Sequence, residues 1–149
     1  MDTPILGLHF KVSFNGDPKL NGDYAFQEVT GLGVSLDFET LEEGGNTFFT
    51  YNLPKKTKNE KIVLKRAVLE SDHAKNIIKW AESALYDFDF KPLEVNVILL
   101  NDKNAPIRGW SFSYVIPSKI EYSGINAVSQ SMVIETLELC FLYSKPLKA

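Results

Sequence analysis

The stretch Phe26–Glu39, FQEVTGLGVSLDFE, decides how the chain folds, because two glycines interrupt its apolar pattern. After Gly33, apolar and polar residues alternate strictly, which predicts an amphipathic strand. Before Gly31 the apolar residues are spaced by three instead. A phosphate-binding glycine loop requires a third glycine at the position of Leu36 and a helix after it, and the sequence has neither. We therefore interpret Gly31 and Gly33 as a bulge or sharp bend in strand structure.

Alternating runs recur along the chain, and one segment alone has a helical period. Strand patterns cover residues 7–14, 34–39, 48–51, 61–68, 92–101, 109–116 and 131–143, with a short one at 118–124. Between them, apolar residues at helical spacing follow Ser71 and Asp72, either of which can cap a helix that we place at about 72–86. The pattern predicts a mostly β, barrel-like or sandwich-like domain of about eight strands with one flanking helix.

The single domain is expected to span residues 1–149, with a protruding loop at about 40–60 that forms either a long hairpin or an extended loop. That loop contains the turn signal Gly44-Gly45, the proline Pro54 and a lysine-rich run. The lysine-rich run lacks interleaved aromatic residues, and we interpret it as a solvated loop or an assembly surface rather than a nucleic-acid site.

The last strand pattern, SMVIETLELCFLY at 131–143, is long and nearly apolar on both faces. Such a strand lies between two packed layers or at a subunit contact. The candidates for a subunit contact are Met132, Ile134, Leu137 and Leu139.

Composition excludes several classes of protein. The net charge of -3 gives no general attraction to nucleic acid or to anionic membranes. No run of 18 apolar residues is present, so we expect no stable membrane insertion. The N-terminus has no basic segment followed by a long apolar run, which predicts synthesis in the cytoplasm without a signal peptide.

The sequence also lacks a pattern for catalysis or for a cofactor. The two histidines have no ligand at metal-binding spacing, and the one cysteine, Cys140, lies in an apolar strand. Glu42 and Glu43 adjoin glycines in a loop, whereas Glu135 and Glu138 fall on opposite faces of a strand. We therefore interpret the chain as a structural part that needs no cofactor or metal.

Several motifs in order resemble one family along nearly the whole chain. Phe26–Leu32 fits F-x-E-V-[ST]-G-L, residues 43–45 fit E-G-G, and Leu64–Val68 after Leu53-Pro54 resembles L-P … L-K-R-G-V. P-x-K-I-E follows at 117–121 and I-E-x-L-E-L at 134–139. These motifs resemble those of contractile phage tail tube proteins and of their relatives in contractile injection systems, including the type VI secretion tube protein. Ala67 stands where glycine is common in the family, and Lys55-Lys56 follow Leu53-Pro54 where the family has glycine.

The resemblance implies a ring-forming fold and a mechanical role. Subunits are expected to form hexameric rings whose sheets join into an inner barrel, and the rings stack into a rigid conduit inside a contractile sheath. The implied partners are further copies of the chain, the sheath protein, baseplate and tube-capping proteins, and protein or nucleic-acid cargo. The implied location is a phage tail or an injection particle, with release from the cell as one route. The candidates for the ring-to-ring contact are Glu42, Glu43, Gly44, Gly45, Lys55, Lys56 and Lys58.

Three other interpretations stay open at this point. A tube-initiating paralogue at the baseplate would form one ring and not polymerise alone. A small β-barrel binding module would be a monomer with a ligand in its cavity. A hydrolase would use Glu42 or Glu43.

Overall fold

The computed structural model describes residues 7–41, 51–56, 61–68, 71–124, 126–128 and 132–147. These residues form ten strands and one helix, which confirms a mostly β fold with a single helix. The strands are β1 (His9–Asn15), β2 (Gly22–Phe26), β3 (Glu28–Thr30), β4 (Leu36–Leu41), β5 (Tyr51–Lys56), β6 (Lys61–Ala67), β7 (Leu93–Leu100), β8 (Pro106–Tyr122), β9 (Ile134–Cys140) and β10 (Tyr143–Leu147). The helix α1 is Asp72–Asp87.

Eight of the strands form one antiparallel sheet in the order β2-β1-β7-β8-β9-β6-β3, with β10 also paired to β8. The 17-residue β8 pairs with β7 through its first part and with β9 through its second part. At the other side, Gln27 alone separates β2 from β3, and its amide donates to the carbonyl oxygen of Lys65 on β6. The sheet therefore folds over at β8 and at Gln27 into two layers that enclose the core.

The core sits between these layers because the strands alternate in and out. Val12 and Phe14 of β1, and Leu137 and Leu139 of β9, are at most 1% exposed. Phe112 of β8 packs edge-to-face on Phe141, with ring centroids 4.8 Å apart. Removing these side chains from water stabilises the fold by about 25 cal/mol per Å² of apolar surface.

Helix α1 begins at Asp72, and its observed end at Asp87 lies one residue beyond the predicted one. The hydroxyl of Ser71 accepts a hydrogen bond from the amide of Ala74, which satisfies one of the free donors at the helix start. The buried stripe includes Ile77 and Trp80, and the indole of Trp80 donates to the carbonyl oxygen of Lys91 at 2.8 Å. The helix therefore completes the core rather than standing outside it. Within the described residues, no helix is long and apolar enough to cross a membrane.

Two parts of the strand prediction need correction. Pro54 and Lys55, expected in a loop, lie in strand β5. Among the described strands β5 pairs with β4 and no other, so its second edge has room for a residue without an amide hydrogen. Tyr114, expected on the same face as Phe112, is 61% exposed, because its φ of 56° makes an irregularity that interrupts the alternation of β8.

Candidate functional site

One layer of the main sheet has two edges with which no described strand pairs, and we call these the open edges. It consists of β3, β6, β9 and the second part of β8, in that order. Strand β7 pairs with β8 no further than Val115, so no described strand pairs with the other edge of Ile116–Tyr122. No described strand pairs with the second edge of β3 either. Such edges present amide and carbonyl groups that can pair with another chain.

The outward face of this layer carries charged side chains in register. Glu28 lies opposite Lys65, Lys65 opposite Thr136, and Thr136 opposite Glu121, which makes one row across all four strands. In the next row Glu138 of β9 lies opposite Lys119 of β8. We call the charged side chains of this outward face, together with Thr136 in their row, the polar face: Glu28, Lys61, Lys65, Lys119, Glu121, Thr136 and Glu138.

Each charged residue of the polar face has a partner of opposite sign. The Lys61 ammonium lies 3.0 Å from the Glu138 carboxylate, and the Lys65 ammonium lies 3.8 Å from that of Glu28. The closest pair joins two residues of β8, Lys119 and Glu121, at 2.8 Å.

This closest pair also perturbs the proton affinities of both of its groups. The hydrogen bond with Lys119 lowers the pKa of the Glu121 carboxyl, and the hydrogen bond with Glu121 raises the pKa of the Lys119 ammonium. Both groups are therefore held in their charged forms.

Strands β4 and β5 form a separate two-stranded sheet, which we call the arm. Leu36 and Phe38 share one face of the arm and are 57% and 60% exposed. Phe38 lies opposite Pro54, whereas on the other face Lys55 pairs with Glu39 at 3.3 Å. A two-stranded hairpin is marginally stable alone in water, so the apolar face of the arm is suited to packing against another surface.

A buried ion pair lies on the core side of the layer. Arg66 of β6 lies opposite Glu135 of β9, and both side chains are nearly inaccessible to water. The Arg66 Nη2 atom donates to the carbonyl oxygen of Ala74 and lies 3.7 Å from Glu135 Oε1, while the guanidinium stacks over Phe26. Burial raises the pKa of the Glu135 carboxyl although Arg66 opposes the shift. This pair joins the sheet to the first turn of the helix.

The two glycines of the opening stretch differ in what they require. Gly31 has a φ of 90°, and a Cβ atom there would overlap the carbonyl oxygen of Lys61. A Cβ at Gly33 would meet nothing within 4 Å. The chain leaves β3 at Thr30 and enters the arm at Leu36. The glycines thus lie between two sheets rather than inside one strand, and the close approach falls on Gly31 alone.

The candidates for a subunit contact on the last strand fall into two groups. Leu137 and Leu139 point into the core of their own subunit, so the expectation that they meet another subunit is corrected. Ile134 is half-buried on the outward face of β9, and Met132 precedes the strand with 68% exposure. That outward face also holds Thr136, so it is less apolar than its sequence pattern suggests.

Most candidates for the ring-to-ring contact lie outside the described residues. Among them, Glu42, Glu43, Gly44, Gly45 and Lys58 are not described, and neither is the side chain of Lys56. Lys55 lies on the arm, paired with Glu39. The role of these residues therefore stays a prediction.

The described ranges contain no cluster of metal-binding side chains. No three of their His, Cys, Asp and Glu side chains come together in a way that could hold a metal ion. A groove of about 480 Å³ runs along the polar face, lined by residues that include Glu28, Lys65 and Glu121. The hydrolase candidates Glu42 and Glu43 are not described.

Sequence reasoning missed the polar face as a unit. Alternating charges at Lys61 and Lys65, and at Lys119 and Glu121, are visible in the sequence. Their assembly into rows depends on the register between β6, β9 and β8, which the strand patterns do not contain.

Comparison with known proteins identifies the family. The family model described as T4-like virus tail tube protein gp19 matches residues 7–145. No curated protein sequence matches the chain.

Solved structures with the same fold cover nearly the whole chain. A chain in the anti-feeding prophage baseplate, 6-fold symmetrised, is 26% identical, with a TM-score of 0.80 over 99% of this chain and 97% of that one. A chain of the PVC extracellular contractile injection system, in its extended sheath-tube complex, is 19% identical, with a TM-score of 0.77 over 98% of this chain and 93% of that one. Hcp1 from Salmonella typhimurium is 13% identical, with a TM-score of 0.56 over 95% of this chain and 86% of that one.

The similarities to the PVC chain and to Hcp1 show the fold alone. The family model, in contrast, covers almost the entire chain. The resemblance of the sequence motifs to tail tube proteins is thereby confirmed. The chain belongs to the T4-like virus tail tube protein gp19 family.

Proposed function

We propose that this tail tube protein is the main inner-tube subunit of a contractile injection particle, in which copies join edge to edge into rings that stack into a conduit. The observation that carries the proposal is the pair of open edges on the layer β3-β6-β9-β8. One edge is β3 and the other is Ile116–Tyr122 of β8, at opposite sides of the layer.

Edge pairing between copies extends the layer into a closed ring. Each copy offers its β8 edge to the β3 edge of the next copy, which is a head-to-tail contact that closes when the rotation per copy divides a full turn. Backbone hydrogen bonds between the two edges satisfy amide and carbonyl groups that would otherwise face water. They also prevent the edges from pairing with a wrong partner. We take six copies per ring because the similar baseplate structure is 6-fold symmetrised.

Stacking of the rings is assigned to the arm. Contact with another subunit would remove the exposed apolar face of the arm, with Leu36 and Phe38, from water. The sequence candidates for the same contact are within or next to the arm along the chain: Glu42, Glu43, Gly44, Gly45, Lys55, Lys56 and Lys58. Their glutamates and lysines would supply charges of both signs.

The partners follow from the particles in which similar chains occur. Those structures are a sheath-tube complex, a baseplate and a tube-terminating cap. We therefore infer that the tube binds a contractile sheath outside, a baseplate at one end and a cap at the other, and that cargo passes through the lumen. The role of the subunit is mechanical, and no group of the chain is assigned to catalysis.

A second candidate is the tube-initiating subunit of the baseplate. It is favoured by the 26% identity to a chain found in a baseplate structure. An initiator forms one ring and needs other proteins above and below it.

Negative-stain electron microscopy of the purified chain over a range of concentrations separates these proposals. The main-tube proposal predicts rings at low concentration and hollow stacks at high concentration. Isolated rings at every concentration would support the initiator. Monomers at every concentration, also when purified sheath and baseplate proteins are added, would contradict both.

A further inference from the structure

The polar face is balanced in charge as well as paired. It holds the three acids Glu28, Glu121 and Glu138 and the three bases Lys61, Lys65 and Lys119, joined in three ion pairs of 2.8 to 3.8 Å. Within each pair, the opposite charges are closer together than the Debye length, which is about 8 Å at physiological salt. Their electric fields therefore largely cancel. A polymer that lies on this face therefore meets little net field.

The position of this face follows if the proposed ring forms. The opposite side of the same layer is covered within each subunit, because Leu64, Leu137 and Leu139 are in the core. The other layer and the helix lie on that covered side. A ring made by joining the layers edge to edge then has the covered side outward and the polar face inward.

We propose that the polar face is a charge-compensated wall of the lumen, suited to the passage of a polypeptide of mixed charge rather than to the retention of nucleic acid. The inference rests on the proposed ring. A wall of one sign would hold the oppositely charged segments of a passing polypeptide, whereas paired charges leave no uncompensated site for them. Retention of nucleic acid requires a surplus of basic groups along its path, which the polar face does not have.

The test compares retention of two fluorescent probes, a single-stranded oligonucleotide and poly-lysine, by assembled tubes. Tubes are sedimented at about 50 mM salt, where surface electrostatics are strong, and the bound probe is measured. Wild-type tubes are expected to retain neither probe above background. Retention of the oligonucleotide by wild-type tubes would overturn the inference and point to nucleic-acid cargo.

Two variants remove one sign of charge from the ion pairs, and each is expected to retain one of the probes. The variant E28Q/E121Q/E138Q leaves three uncompensated lysines per subunit, and we expect its oligonucleotide retention to rise at least about tenfold and to disappear at about 500 mM salt. The variant K61Q/K65Q/K119Q should do the same for poly-lysine. Equal retention by wild type and both variants would contradict a compensated wall.

A matched control removes three acids elsewhere. The variant D87N/D89N/E94Q alters exposed carboxylates at the end of the helix and on β7, so its net charge changes by the same amount outside the polar face. It is expected to retain no more oligonucleotide than wild type. If it retains as much as E28Q/E121Q/E138Q, the effect belongs to net charge and the inference fails.

Microscopy of the same samples keeps the two proposals apart. Absence of rings and stacks in the wild type would overturn the proposed function. Well-formed wild-type tubes that bind either probe would overturn the compensated wall alone. The wild-type measurement decides even if a variant fails to assemble.

Discussion

Phe112 and Phe38 are both phenylalanines in strands, but Phe112 is buried and Phe38 is exposed. Phe112 of β8 is 1% exposed and packs on Phe141 in the core. Phe38 of the arm is 60% exposed and has Pro54 as its cross-strand neighbour. Phe112 therefore stabilises the fold of the single subunit, whereas Phe38 leaves apolar surface exposed, which we propose is covered by another subunit in the tube.

The largest effect on stability is expected in the core. Replacing Phe112 with alanine removes a fully buried ring and leaves a cavity, so the free energy of unfolding should fall by about 3–5 kcal/mol. Urea denaturation under conditions that keep the chain monomeric measures it. A loss below about 1 kcal/mol, the scale of an ordinary surface change, would contradict the assignment of Phe112 to the core.

Among the described core residues, Arg66 and Glu135 are charged, so the interior is not purely apolar at their position. Arg66→Met leaves Glu135 without its cation in a buried site, which should cost about 3–5 kcal/mol at neutral pH. The same unfolding measurement tests it, with the double replacement R66M/E135L as control. The double variant should be more stable than R66M, and a double variant less stable than R66M would show that the pair is not coupled.

The pH dependence of stability tests the same pair through Glu135. Because burial raises its pKa in the folded state, the folded protein binds this proton more tightly than the unfolded chain does. The contribution of this proton to stability is present below pH 4.5, the ordinary pKa of the carboxyl group. It is lost as the pH rises through the pKa of Glu135 in the folded state. The stability of wild type relative to E135Q should therefore fall as the pH rises above 4.5. A rise would show that Arg66 outweighs burial, with Glu82 as the other nearby charge.

The junction between the two regions predicts an intermediate effect. Gly31→Ala forces a side chain into a φ of 90° and against the Lys61 carbonyl, so a loss of about 1–3 kcal/mol is expected. Gly33→Ala, two residues away, meets open space and should change stability by less than about 0.5 kcal/mol. Thermal unfolding of the two variants side by side measures the difference, and equal effects would contradict the close approach at Gly31.

The smallest effect on stability, and a large one on assembly, is expected for Phe38→Ala. Its ring contributes little to the isolated subunit, so the free energy of unfolding should change by less than about 0.5 kcal/mol. If a second subunit covers the ring, the concentration at which stacks appear should rise about tenfold or more. Light scattering against concentration measures this. Val128→Ala, an exposed apolar change outside the arm, is the control, and an equal shift there would remove the special role of the arm.

The sequence predicted the elements better than their arrangement. The helix and the strands with clean alternation, such as β1 and β7, follow from local periodicity. Strand β10 was not predicted as a separate element because it is short and contains Pro146. The position of Tyr114 depends on an irregularity of β8 that alternation alone cannot reveal.

The candidate contact surfaces were harder to predict because they depend on how the strands are arranged in the fold. Leu137 and Met132 both suggest an apolar contact, but only the fold shows that Leu137 is turned inward. The rows of the polar face require cross-strand register, and the open edges require the order of all strands in the sheet. Both properties are tertiary and have no local signature in the sequence.

A cryo-electron microscopy map of the assembled tube at side-chain resolution would show whether subunits join through the open edges of one layer. We expect Ile116–Tyr122 of one copy to pair with β3 of the next, with the polar face lining the lumen. A map in which both edges are left unpaired, and the rings are held together by other surfaces, would contradict this expectation.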